Sequence, residues 1–169
     1  LLLDTPFDYL SSTLIYLPQD IPPPDKPGYQ SSVENSLIDL CRAVQGYTLV
    51  LFTSHAALRA TYVALRPLLE KEGIQVLGQG IDGSPKRLLD IFKDTPGTIL
   101  LGTSSLWEGI DVVGKALSIL VIVRLPFSVP TEPIFAARSE LFEDAFDQYA
   151  LPQAILRFKQ GFGRLIRSK

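Results

Sequence analysis

The sequence predicts an α/β domain built on a mainly parallel sheet, and three observations carry that prediction. Short apolar runs rich in Leu, Ile and Val recur at residues 47–52, 74–77, 98–101 and 117–123 without helical spacing, so each reads as a buried strand. Segments with apolar residues three and four apart alternate with these runs, which is the order expected of parallel strands joined by helices. Hydroxyl and carboxylate side chains gather just after the strands, where open parallel sheets bind ligands. A length of 169 residues, 46% apolar and 20% charged, fits one globular domain, with no internal repeat.

In chain order, residues 12–17 form a first strand-like run. Residues 21–28 carry four prolines and read as a surface loop, neither helix nor central strand. From Ser32, with Glu34 nearby, Leu37, Leu40, Cys41 and Val44 mark the buried face of a helix that Gly46 ends. The strand 47–52 follows, then Thr53 and Ser54, and then a helix over 55–72 with Leu58, Tyr62, Leu65, Leu68 and Leu69 inward and Gly73 as its stop. After the strand 74–77, Ser84 as cap and Pro85 in the first turn open a helix through Leu88, Leu89, Ile91 and Phe92. Past the strand 117–123, the three prolines of residues 124–133 force an extended excursion across the sheet edge. Thr131, Glu132 and Pro133 announce a helix to about Tyr149, whose Glu140, Glu143, Asp144 and Asp147 read as a solvated acidic face. Pro152 starts the last helix, which holds Arg157, Lys159, Arg164, Arg167 and Lys169 with no acidic residue after Asp147.

Charge and cysteine content narrow the function. A net charge of −2 gives no global basic field for nucleic acid, so such a contact would fall to a local patch, and the last helix is one. A single Cys41, expected in a buried helix, excludes an internal disulfide or a cysteine metal cluster and points to the cytoplasm. No metal site is expected: the lone His55 has no second histidine or cysteine to share an ion with and reads as a helix-start or surface residue. No apolar run reaches the roughly 18 residues of a bilayer span, so no membrane partner is expected. The start at Leu1 and the lack of any Met suggest a piece of something longer.

Two glycine motifs invite a nucleotide-binding reading. Gly78, Gly80 and Gly83 spell G-x-G-x-x-G after a strand, but the following helix has its own start at Ser84-Pro85, and no acidic residue stands about 20 positions on to hold a ribose. A glycine-rich strand-to-helix loop is the better reading. Gly109, Gly114 and Lys115 give G-x-x-x-x-G-K, yet Ala116 stands where Ser or Thr must ligate Mg²⁺. A β-branched run follows, where a phosphate-binding loop needs a helix N-terminus. The chain therefore lacks a Walker A and a complete ATP site of its own.

Two stretches remain. Residues 102–114, GTSSLWEGIDVVG, offer Thr103, Ser104 and Ser105 hydroxyls, Trp107, and the carboxylates Glu108 and Asp111 at a strand end, an inventory suited to phosphate and sugar, with an ordinary polar loop as the competing reading. In residues 160–167, QGFGRLIR, Arg164 and Arg167 lie three apart on nearly one helix face, with Gln160 one turn earlier. Two guanidinium forks on one face suit a polyphosphate. Spacing alone does not separate that from plain solvation.

Taken in order, residues 5–9 (TPFDY), 49–54 (LVLFTS), 102–114, 123–127 (VRLPF) with the following prolines, 136–140 (AARSE) and 151–168 resemble the C-terminal motor domain of the DinG/XPD family of superfamily 2 DNA helicases, and DinG in particular. The resemblance spans nearly the whole chain, residues 1–169. It implies a RecA-like, P-loop NTPase-type three-layer domain that closes against an N-terminal RecA-like domain of the same protein, with ATP and Mg²⁺ at the seam and bound chiefly by that other domain. Arg164 and Arg167 would face the phosphates, one as the arginine finger, with Gln160 lining the cleft and Glu108 and Asp111 coupling nucleotide to the strand-binding face. Thr53, Ser54, Thr103 and Ser104 look like the residues that grip single-stranded DNA through its phosphates, contacts that position a strand without reading its bases. Trp107 would stack on a base or serve as a core or interface aromatic.

The resemblance implies an ATP-dependent, 5′ to 3′ DNA helicase of the bacterial cytoplasm, with a part in DNA repair. The Walker A, the Mg²⁺-binding acidic motif and any iron–sulfur cluster would lie in the missing first half, and a last strand is expected after the arginine helix. Two other readings stay open: a nuclease-associated motor half, and a nucleic-acid-binding domain that keeps the fold without hydrolysing ATP.

Overall fold

The computed structural model describes residues 13–44, 47–103, 106 and 117–162. Its centre is a four-stranded sheet formed by β1 (Thr48–Leu51), β2 (Gln75–Gly78), β3 (Thr98–Gly102) and β4 (Ile119–Ile122), in the order β2-β3-β1-β4 with every pair parallel. All four follow from the apolar runs. Successive side chains alternate between faces, so Val50, Phe52, Val76, Ile99 and Leu101 join one core and Leu49, Leu51, Leu77 and Leu100 the other. The first core is closed by α1 (Tyr29–Val44) and α2 (His55–Leu69), the second by α3 (Pro85–Asp94), giving three layers. Each fully buried Leu in these cores contributes about 1.5–3 kcal/mol relative to exposure.

Local chemistry explains where the helices begin and end. Ser54 caps α2, its hydroxyl accepting from Ala57 N–H at 3.2 Å. A 3-10 turn over Glu70–Glu72 then leads to Gly73, whose φ of 80° is left-handed and favours glycine. Helix α1 begins before Ser32 because the Gly28 carbonyl already accepts from Ser32 N–H at 2.9 Å. At α3, Pro85 occupies the first turn as expected, but Ser84 makes no side-chain capping bond, so proline geometry rather than a hydroxyl sets that start. Arg42 near the end of α1 forks onto Glu72 at 2.7–3.1 Å. That bond holds the Glu72 carboxyl below its ordinary value.

Two expectations need correction. Residues 13–17 are irregular, with Leu14, Ile15, Tyr16 and Leu17 exposed, and among the described residues no strand pairs with them; apolar content without a ladder partner does not make a strand. The single helix expected over 131–149 is broken. Helix α4 (Pro133–Ser139) ends in tight turns, and the Asp144 carboxylate accepts from Phe146 N–H at 3.1 Å and Asp147 N–H at 3.0 Å, restarting the chain in a helical turn. That turn, Phe146–Ala150, is of the wide π type, with Leu151 N–H reaching Phe146 O, and runs into α5 (Leu151–Phe162). Pro152 has no N–H to continue the ordinary ladder, which accounts for a wide turn just before it.

Cys41 lies on the buried face of α1 at 0% exposure, and burial pushes its thiol up from 9.0 to about 12. Thiolate is the reactive form, so the folded protein is expected to take up a maleimide at mildly alkaline pH only as fast as α1 opens, with a large acceleration in denaturant. Rapid labelling in native buffer would contradict this packing. Ionisation adds a pH limit. The folded value lies above the unfolded one, so the contribution is constant below about pH 9 and is lost as pH rises toward 12.

Candidate nucleic-acid interface

Parallel strands bring all their carboxyl ends to one edge. The register pairs Leu51 with Gly102 and Gly78 with Leu101, so the residues just after β1, β2 and β3 lie side by side. The structure thus brings Thr53, Ser54 and Thr103 together; Ser104 lies outside the described residues. Thr53 and Ser54 are exposed. Thr103 is 3% exposed and held from both sides: its N–H donates to Gln79 Oε1 at 2.9 Å, and its hydroxyl stands 3.4 Å from that oxygen and 3.4 Å from His55 Nε2. His55 is the exposed first residue of α2. Neither His55 nor Gln79 stood out in the sequence as part of this cluster. The available signal was a polar residue directly after a strand, set between two glycines.

The glycine loop after β2 is closed by its own chain. Gly80 N–H donates to Gly83 O, and Ile81 and Asp82 N–H both donate to Gly78 O. The Asp82 carboxylate accepts from Gly78 N–H at 2.8 Å, Tyr62 hydroxyl at 2.9 Å and Arg66 at 3.3 Å. With the Gly80, Ile81 and Asp82 amides committed and a carboxylate among them, the loop is a poor cradle for a pyrophosphate. The loop's role is to hold Gln79 against β3.

Near the end of the described residues, Gln160 is exposed in the last turns of α5. Arg157 is half-buried and donates to Ser128 Oγ at 2.7 Å, so this member of the basic patch ties α5 to the proline segment 124–133. Arg164, Arg167, Glu108, Asp111 and Trp107 lie outside the described residues, as does the G-x-x-x-x-G-K stretch. The described residues do not fit Mg²⁺ or an iron–sulfur cluster: among them no three His, Cys, Asp or Glu converge, and Cys41 is a buried, protonated thiol. Among them also, no helix is long and apolar enough to cross a membrane.

A family profile for the helicase C-terminal domain matches residues 37–169, from within α1 to the arginine stretch. The chain belongs to the helicase C-terminal domain family. Among curated proteins it is 38% identical over 98% of its length to the 3'-5' exonuclease DinG of Bacillus subtilis. It is 37% identical over 99% of its length to the ATP-dependent DNA helicase YoaA of Escherichia coli, and 37% over 96% to the ATP-dependent helicase DinG of Mycobacterium tuberculosis. It spans 19% of the first of these, 26% of the second and 25% of the third. The three-layer fold with an all-parallel sheet is that expected of a RecA-like helicase domain.

Proposed function

We propose that this domain is the C-terminal half of a DinG-like, ATP-dependent DNA helicase that tracks 5′ to 3′ along single-stranded DNA in the cytoplasm. The observation that carries this is the strand-end cluster. Thr53, Ser54 and Thr103 sit on one edge because β1 and β3 are register partners, and Ser104 follows Thr103 in sequence. Hydroxyls and backbone N–H groups of this kind hold phosphates of any sequence, which suits a motor. The Ser54 oxygen caps α2, and both Ser54 and Thr53 are exposed.

ATP would bind chiefly to an N-terminal RecA-like domain, with Gln160, Arg164 and Arg167 completing the cleft from this side and Glu108 and Asp111 linking it to the DNA edge. Mg²⁺ would neutralise phosphate charge there and would be held by that other domain. Closure on ATP and opening after hydrolysis would move the strand-end edge along DNA. Residues 1–169 act in this reading as one domain. A nuclease-associated motor half is the second reading, favoured by the exonuclease name of the Bacillus subtilis relative.

The full-length protein is expected to hydrolyse ATP faster with oligo-dT present and to unwind a duplex bearing a 5′ tail in preference to a 3′ tail. The isolated domain, lacking a Walker A, is expected to hydrolyse none. Hydrolysis by the isolated domain, or a full-length enzyme indifferent to DNA, would refute the assignment.

A further inference from the structure

We propose that Gln79 is a positioning residue for single-stranded DNA, setting the backbone of Thr103 from the neighbouring strand and thereby the affinity of the motor for its track. This rests on the reading of the 53–54 and 103–104 edge as the DNA contact.

The two bonds from Gln79 to Thr103 differ in strength. At 2.9 Å the N–H to Oε1 bond is near ideal, whereas the hydroxyl contact at 3.4 Å is weak. Thr103 has one hydroxyl proton and two neighbours at 3.4 Å, Gln79 Oε1 and His55 Nε2. The backbone is therefore fixed by one strong bond, while the hydroxyl is only loosely held. With Thr103 3% exposed, water does not readily replace the lost acceptor, and an unpaired buried N–H is costly.

Gln79 is built as a strut. Its own N–H donates to Leu101 O at 3.0 Å, extending the β2–β3 ladder by one residue. Gly80, at a φ of 73°, then turns the chain away, so only the side chain continues toward Thr103. Behind it, the Asp82 carboxylate latches the loop to Gly78, Tyr62 and Arg66. An acceptor at this reach is supplied by Gln or Glu; Asn is one methylene short.

The test uses the full-length protein with Gln79→Met, which keeps length but loses the side-chain amide, and Gln79→Glu, which restores the acceptor to Thr103 N–H but loses the amide donor and adds a negative charge beside the DNA edge. Four quantities are measured: the oligo-dT concentration giving half-maximal ATP hydrolysis, turnover at saturating DNA, DNA-free hydrolysis and the unfolding midpoint. Gln79→Met is expected to raise the half-saturating DNA concentration about five- to tenfold with saturated and DNA-free turnover within about twofold. Gln79→Glu is expected to recover part of that loss, and more of it, relative to wild type, at about 0.2 M than at about 0.05 M salt, where its added charge is less screened. Should Gln79→Met lower the unfolding midpoint, Gln79→Asn takes its place with the same expectation. A DNA-stimulated wild type whose Met variant keeps the wild-type half-saturation, or a Glu variant as weak as Met relative to wild type at both salt concentrations, overturns this inference alone. A wild type that DNA does not stimulate overturns the underlying reading as well.

Discussion

Replacing Arg164 or Arg167 by alanine in the full-length protein is expected to abolish most DNA-stimulated ATP hydrolysis, by about 10³-fold or more, and to leave single-stranded DNA binding within about twofold. The expectation comes from the resemblance to DinG-type motors, with which the spacing agrees: residues three apart on an α-helix would stand about 60° apart around its axis, so both guanidinium groups would serve one face. An arginine reaching across an interface neutralises charge that builds on the transferred phosphoryl group, and alanine removes that contribution without disturbing the strand-end edge. Lysine keeps the charge and loses the fork, so Arg→Lys is expected to fall between alanine and wild type. Steady-state hydrolysis at saturating oligo-dT, set beside fluorescence anisotropy of a labelled oligonucleotide, separates the two effects. Unchanged turnover in both alanine variants would remove the arginine finger, and an equal loss of DNA affinity would relocate these residues to the DNA track.

The strands were legible because burial on both faces leaves a continuous apolar run, and the four runs at 47–52, 74–77, 98–101 and 117–123 became β1, β2, β3 and β4 within two residues at each end. Helix interiors were legible from one-face periodicity: Leu58, Tyr62, Leu65 and Leu69 repeat on one face of α2 and are all buried there, whereas Leu68, expected with them, is exposed. What misled was chemistry that looks the same in two roles. Asp144 reads as one carboxylate of a solvated face, yet it caps a restarted helix, and sequence does not show which N–H groups a carboxylate will find. Residues 13–17 have strand composition, but a strand also needs a neighbour.

The site divides along a similar line. The shared edge of Thr53, Ser54 and Thr103 was legible because each lies within two residues of the end of an apolar run, and strand ends of a parallel sheet share an edge whatever their order. Gln79 was not visible as their partner, because its contact with Thr103 requires β2 to lie beside β3, an adjacency that strand order decides and sequence order conceals. The G-x-G-x-x-G spacing drew attention to the glycines on either side of it, whereas in the structure Gly80, at a φ of 73°, turns the chain, Gly78 closes β2 tightly against Tyr62, and the side chain between them makes the bond.

Gly102→Ala is expected to destabilise the domain by about 1–3 kcal/mol and to weaken DNA stimulation together with stability. Gly102 closes β3 with its carbonyl accepting from Phe52 N–H at 2.8 Å. The chain then turns tightly, Leu106 N–H donating to Thr103 O at 2.9 Å, and folds Leu106 back over Gly102 at 0% exposure. A Cβ at position 102 would overlap Leu106 Cδ1 and stand 2.9 Å from its Cβ and Cγ. Rotation of the side chain moves Cδ1 but not Cβ, so relief requires the Leu106 backbone to shift, and with it the turn that begins at Thr103. Leu106→Ala alone leaves a cavity among Leu49, Leu51, Leu88, Phe92 and Leu100, at a cost of about 2–5 kcal/mol. In the double variant the overlap with Cδ1 and Cγ disappears, so its loss of stability is expected to fall short of the sum of the two single losses by about 1 kcal/mol or more, measured as denaturant midpoints. Strict additivity of the two losses would show that Gly102 is not there to make room for Leu106, and the strand-end turn would then owe its shape to something other than this contact.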